Sequence, residues 1–277
     1  MKPITLIATD LDGTLLDDKK EVTNTTRTIL KQLKQQGILF GVATGRPVES
    51  TLILSKEWGL DEDLSFMIGM NGGIIYDVRQ QEKEEFHLMN GETILEIIEH
   101  FKDMNVLFHV MVGNHRYTNL STPETLEYAE LFGEVEIEID LSTFLIGKKV
   151  NKLIIYLLNP EEMDDVKQRA STFSSELYTS FQTAPRLYEY VHPSINKGFG
   201  IKKVCEHFGI CLENVAAFGD AQNDKEMLQI VGMGVAMKNA CDEIKEVADF
   251  VSEFSNKENG MARFIEQYIM EQKKEVE

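Results

Sequence analysis

The chain has 277 residues, 43% of them hydrophobic, and its 46 acidic against 28 basic side chains give a formal net charge of −18. That apolar content supplies a packed core and argues against disorder, and the length calls for one large or two moderate domains. The acidic balance argues against a nucleic-acid partner, which needs a basic stripe, and against an anionic membrane surface; no run approaches the roughly 20 apolar residues of a membrane helix.

Residues 4–9 predict a strand whose apolar run climbs into Asp10 and Asp12 and stops at Gly13-Thr14. Residues 22–37 predict an amphipathic helix capped by Thr23 or Asn24 and closed by Gly37. A second strand (38–45), a helix (47–59) with Pro47 in its first turn, and a third strand (64–73) running into Asn71-Gly72 follow. Continuous apolar strands alternating with helices imply a parallel sheet covered on both faces. From about 84 to 189 the unit changes. Helices at 91–104, 122–132 and 160–174 intersperse with strands at 106–113, 150–158, 176–182 and 186–191. The first rhythm then resumes with helix 197–208, strand 215–220, helix 223–231, strand 233–237 and helix 259–270, before a charged tail at 271–277.

The expected fold class is therefore α/β: a doubly wound, Rossmann-like parallel-sheet core, residues 1–83 and 190–277, interrupted by an inserted α/β domain, residues 84–189. Residues 81–190 hold 20 Asp and Glu against 9 Lys and Arg, a more acidic balance than the remainder, as a separate solvated module would have. Cys205, Cys211 and Cys241 form no CxxC pattern. They read as small core residues in a reducing cytoplasm.

In an open parallel sheet, ligands sit beyond the carboxyl ends of the strands. There the first strand delivers Asp10, Asp12 and Thr14, the second Thr44-Gly45-Arg46, the third Asn71, and the fourth "FGDAQND" with Asp220, Asn223 and Asp224. Lys197 opens the helix leading into the second half. Two adjacent carboxylates repel each other, and burial makes their ionised forms costlier, so the Asp10/Asp12 pair points to a cation, a shared proton, or both. Asp10 and Asp220 suit Mg²⁺, which takes one or two carboxylates, waters and substrate phosphate. The six histidines are scattered, with no zinc spacing. The Thr44 hydroxyl and N–H, the Gly45 N–H, Asn223 and the Lys197 ammonium are donors for phosphate oxygens. Asp10 is the candidate nucleophile toward phosphorus and Asp12 the candidate proton donor and acceptor. Asp224 reads either as support for Lys197 or as a first-turn helix acid.

At these residues the sequence resembles the haloacid dehalogenase-like phosphatases, specifically the Cof-type group with its larger α/β cap. "DLDGTLL", "TGR", "NGG", "NKG" and "GDAQNDKEMLQIVGMGVAMKNA" carry the likeness over essentially the whole chain. The resemblance implies an aspartyl-phosphate mechanism with Asp10 as nucleophile and Asp12 as acid/base, the Asp12 backbone carbonyl also on Mg²⁺. It further implies Asp220 as a metal ligand, and Thr44, Gly45, Lys197 and Asn223 around the phosphoryl group, with Asn71 and Asn239 nearby. The implied substrate is a small phosphorylated metabolite, such as a sugar phosphate or a phosphorylated cofactor. A phosphotransferase or mutase on the same scaffold, or a non-catalytic phosphate- or metal-binding protein, are the alternative readings. One stretch departs from the family: His192-Pro193-Ser194 stands where members often carry P-x-G-V. The insert is expected to select the leaving group, with His109, His115, Arg116, Tyr117, Glu189 and Tyr190 as candidate selectors.

Overall fold

The structure, a computed structural model, describes residues 2–270, so the charged tail lies outside the described residues. Two compact units divide the chain. One comprises the residues up to Gly45, Leu54–Glu84 and those from Asn196 onward; the other comprises Arg46–Ile53 and Glu85–Ile195. The second unit thus runs past the expected boundary at 189 and also takes in residues 46–53.

The first unit begins with β1 (Leu6–Thr9), buried at every residue. α1 (Asn24–Gln35) starts where the Thr23 hydroxyl accepts the Thr26 N–H, and buries Ile29, Leu30 and Leu33. β2 (Leu39–Ala43) and β3 (Phe66–Gly69) follow, and between them runs α2 (Val48–Glu57), whose residues 48–53 belong to the second unit. The chain then reverses through Met70–Gly72 into β4 (Ile74–Asp77), which runs antiparallel to β3, and continues to β5 (Glu82–Glu85). This antiparallel edge was not expected. It forms because Asn71 and Gly72 both take positive φ and turn the chain back.

The second unit contains β6 (Met89–Asn90), α3 (Gly91–His100), β7 (Val106–Val112), β8 (His115–Thr118), α4 (Pro123–Leu131), β9 (Val135–Glu138) and α5 (Leu141–Phe144). It continues with β10 (Lys149–Val150), β11 (Lys152–Leu157), α6 (Met163–Ser171), β12 (Thr179–Ala184) and β13 (Leu187–Val191). Its main sheet has the order β12-β13-β11-β7-β8-β9. Alternation along β7 and β11 sends Phe108, Val110, Leu153 and Ile155 into one core with Ile94 and Ile97 of α3 and Val166 of α6. β13 pairs with β11 residue by residue, which keeps the chain in this unit beyond residue 189.

The chain returns through α7 (Lys197–Phe208), capped by the Asn196 side chain and closed by Gly209 at φ 65°. Then come β14 (Val215–Gly219), α8 (Lys225–Ile230), β15 (Met233–Ala236), α9 (Asp242–Val247), β16 (Phe250–Val251) and α10 (Gly260–Phe264). Where one helix was expected over 259–270, residues Ile265–Met270 widen into a π-helical turn. The core sheet has the order β16-β15-β14-β1-β2-β3-β4-β5, with β1 paired in parallel to both β14 and β2. From β1 the chain moves outward one way to β2 and β3; from β14 it moves outward the other way. Right-handed crossovers then place the connecting helices on opposite faces, which is the doubly wound arrangement. The strand order reverses at β1 and β14, where such sheets open a ligand crevice beyond their carboxyl ends. Among the described residues, no helix is long and apolar enough to cross a membrane.

Candidate active site

Asp10 follows β1 directly, and its N–H donates to the Phe218 carbonyl of β14 at 2.9 Å, so the first carboxylate is tied to both central strands. Asp220 follows β14. Between them the backbone turns at Gly13, φ 87°, where an added Cβ would lie 2.4 Å from Asp220 Oδ2. Only glycine fits there. The next residue, Thr14, donates its hydroxyl to Asp220 Oδ1 at 2.7 Å. Asn239 braces the same loop: its Nδ2 donates to the Gly13 carbonyl at 2.8 Å, and its Oδ1 accepts the Asn256 N–H at 3.0 Å.

Lys197, the first residue of α7, is wholly buried. Its ammonium donates to Asp10 Oδ1 at 2.5 Å and to Asp224 Oδ1 at 2.6 Å. The second Asp224 oxygen accepts the backbone N–H groups of Asp220 and Ala221, each at 2.9 Å. Asp224 therefore both supports Lys197 and pins the turn that presents Asp220.

Carboxylate oxygens of Asp10, Asp220 and Asp224 lie within 4.8 Å of one another. Burial drives the Asp10 carboxyl well above its ordinary range; Lys197 pulls it back, while Asp224, Asp220 and Asp12 push it further up. Asp220 is pushed up to about 6, mainly by burial, against the Thr14 hydroxyl bond that favours its charge. For Lys197 burial works against the charge, but attraction to Asp10 and Asp224 outweighs it and holds the ammonium above its usual range. One lysine offsets one of three clustered acids, two of them buried and Asp220 half-buried, and every converging donor is a hard oxygen. This set fits Mg²⁺. The carboxylate that converges with Asp10 and Asp220 is that of Asp224 and not that of Asp12, whose Oδ1 accepts from Lys20 Nζ at 2.6 Å.

The residues expected around phosphate also meet in this unit. Asn71, left-handed at φ 56°, donates its N–H to the Thr44 carbonyl at 3.0 Å, and its Oδ1 accepts from Asn223 Nδ2 at 3.3 Å. A Cβ at Gly45 would lie 3.0 Å from Asn71 Oδ1. Thr44, Gly45, Asn71 and Asn223 are thus contiguous. One expected donor is otherwise engaged: the Thr44 N–H donates to the Ile68 carbonyl at 2.8 Å, as sheet pairing requires at the end of β2. Only the Thr44 hydroxyl continues as its candidate donor.

The candidate selectors lie in the second unit and do not behave alike. His109 is fully buried with neither ring nitrogen hydrogen-bonded, and Glu136 Oε2 stands 3.9 Å from its Nδ1. Arg116 is buried against Glu134, and Glu189 accepts from Lys152 Nζ at 2.8 Å. His115 and Tyr117 stack with centroids 6.2 Å apart, and Tyr190 buries its hydroxyl without a partner. His192, in the stretch that departs from the family pattern, stacks on His87 with centroids 4.7 Å apart.

The family model described as haloacid dehalogenase-like hydrolase matches residues 7–265. One of several 5-amino-6-(5-phospho-D-ribitylamino)uracil phosphatases of Bacillus subtilis is 28% identical, over 95% of this chain and 97% of that relative. Another Bacillus subtilis phosphatase is 28% identical over 95% of this chain and 99% of its own. A haloacid dehalogenase-like hydrolase of Bacteroides thetaiotaomicron, solved by crystallography, aligns with a TM-score of 0.84 at 28% identity, covering 95% of this chain and 99% of that one.

Proposed function

The chain belongs to the haloacid dehalogenase-like hydrolases, in the Cof-type group, and from that premise we propose that it is a Mg²⁺-dependent phosphatase of small phosphomonoesters working through an aspartyl-phosphate. The observation that carries this reading is the buried chain Asp10–Lys197–Asp224, with Asp220 beside it at the carboxyl ends of β1 and β14.

Asp10 is the nucleophile. Its carboxylate oxygen attacks phosphorus as the bond to the leaving oxygen breaks, and Asp12 gives that oxygen a proton. Asp12 then takes a proton from the water that attacks the aspartyl-phosphate, which releases inorganic phosphate and restores the Asp10 carboxylate. Lys197 holds Asp10 in place and offsets phosphoryl charge from a water-poor position, where such a donor acts most strongly. The Thr44 hydroxyl, the Gly45 N–H, Asn223 and Asn71 orient the phosphoryl oxygens. The Asp10 and Asp220 carboxylates, with the Asp12 main-chain carbonyl, would hold Mg²⁺, which when bound supplies Lewis-acid neutralisation of phosphoryl charge.

We assign leaving-group choice to the inserted unit. The Bacillus subtilis relative that acts on a phosphorylated ribitylamino compound supports a small, hydroxyl-rich phosphomonoester as substrate class. The test is phosphate release from a panel of sugar phosphates, sugar-alcohol phosphates and phosphorylated cofactors, with Mg²⁺ and with EDTA. Hydrolysis of at least one member, abolished by EDTA and restored by Mg²⁺, is expected. Undiminished hydrolysis after rigorous chelation rules the scheme out.

A further inference from the structure

The loop between β1 and α1 aims a lysine at the acid/base residue. Lys20 Nζ donates to Asp12 Oδ1 at 2.6 Å, with side chains 42% and 37% exposed. At such exposure an ion pair adds little to stability. Yet the backbone takes an unfavourable shape to make it: Lys20 sits in the left-handed region at φ 61°, which residues bearing a Cβ rarely enter. Asp17 builds the turn that holds it. Its Oδ1 accepts the N–H groups of Lys19 at 2.9 Å and Glu21 at 3.0 Å, while the Lys20 N–H donates to the Asp17 carbonyl at 3.0 Å. The Asp17 N–H closes the turn on the Glu21 carbonyl at 3.1 Å, and a bridge between Asp12 and Leu16 fixes its other end.

We infer that Lys20 is a positioning residue for Asp12: its ammonium fixes one carboxylate oxygen, so the carboxyl group keeps the orientation in which it exchanges a proton with the leaving oxygen. The inference rests on the acid/base assignment of Asp12 made above. A carboxyl group that swivels spends less time aligned with the leaving group, and a misplaced proton donor costs rate more than affinity. Asp17 acts one step further out, by holding Lys20 in the turn.

The experiment is single-turnover phosphoryl transfer with two substrates: p-nitrophenyl phosphate, whose leaving group departs without a proton, and the most active alkyl phosphomonoester of the panel, whose leaving group needs one. Lys20→Met is expected to slow transfer from the alkyl ester about tenfold, with half-saturation and the p-nitrophenyl rate changed less than about twofold. Lys20→Arg recovers most of the loss, and Asp17→Ala, which removes the acceptor of the Lys19 and Glu21 N–H groups, reproduces part of it. A Lys20→Met rate on the alkyl ester equal to wild type, or equal losses on both substrates, overturns the inference. Asp12→Asn separates the two levels. If it keeps wild-type transfer from the alkyl ester, the assignment of Asp12 falls and this inference with it; if it is depressed while Lys20→Met is not, this inference alone falls.

Discussion

The Lys197 ammonium stands 2.5 Å from Asp10 Oδ1, although 187 positions separate the two residues in the chain. The contact exists because β1 and α7 both deliver their ends to the point where the strand order reverses, and because Asp224 holds the other side of the ammonium at 2.6 Å. A buried lysine shared by two carboxylates is fixed in place before any substrate arrives.

Lys197→Met is therefore expected to lower kcat/KM by roughly 10²-fold or more, the scale of losing one charge-stabilising donor, with kcat falling as well as KM rising. It also leaves Asp10 and Asp224 buried without their cation, which destabilises the metal-free protein by about 3–5 kcal/mol. Steady-state kinetics and urea unfolding in EDTA read the two effects. An unchanged kcat would remove Lys197 from the reacting centre.

Asp224 has two tasks that substitutions separate. Asp224→Asn keeps an oxygen for the Asp220 and Ala221 N–H groups but loses the charge facing Lys197; Asp224→Ala loses both. Alanine should cost about 2 kcal/mol more in folding stability than asparagine, since it leaves buried N–H donors without a partner. Both variants should lose activity. Equal stability of the two in denaturant titrations would show that the turn does not depend on this carboxylate.

The Asp220 carboxyl, raised by burial from 3.8 to about 6 in the metal-free protein, makes a signed prediction. The folded state holds this proton more tightly than the unfolded state, so its contribution to stability is lost as pH rises through that interval and stays lost above it. Relative to Asp220→Asn, the metal-free wild type should therefore lose about 2–3 kcal/mol between pH 4 and pH 7. Mg²⁺ should raise the wild-type Tm at pH 7 far more than that of the variant. Parallel stability curves with pH for the two proteins would contradict this.

Gly13→Ala places a methyl group 2.4 Å from Asp220 Oδ2 in a backbone conformation suited to glycine. The turn must shift, and Asp12 shifts with it. A loss of about 10²-fold in kcat/KM is expected, with circular dichroism unchanged. Wild-type kinetics in this variant would mean that the loop tolerates displacement.

Much of this arrangement is legible locally. The apolar run ending in Asp10 and Asp12, the helix opening at Lys197 and the Thr23 cap depend on residues adjacent in sequence, and β1, α7 and α1 form where periodicity and capping put them. What local pattern does not carry is partnership. The short segments at Ile74–Asp77, His115–Thr118 and Val135–Glu138 become strands only because a sheet edge is there to receive them. Thr44 and Asp224 carry hydrogen bonds that their residue types permit but do not specify. The grip of Lys20 on Asp12 depends on a left-handed lysine, which no propensity favours.

The central claim is that Asp10 carries the phosphoryl group during turnover. Rapid acid quenching of the enzyme during hydrolysis of its best substrate, followed by peptide mass mapping, tests it most directly. The account predicts a phosphorylated peptide containing Asp10 in the wild-type protein, with none in Asp10→Asn, which should also release no phosphate while keeping its fold. Phosphoryl transfer to another residue, or substantial turnover by pure Asp10→Asn, would contradict it.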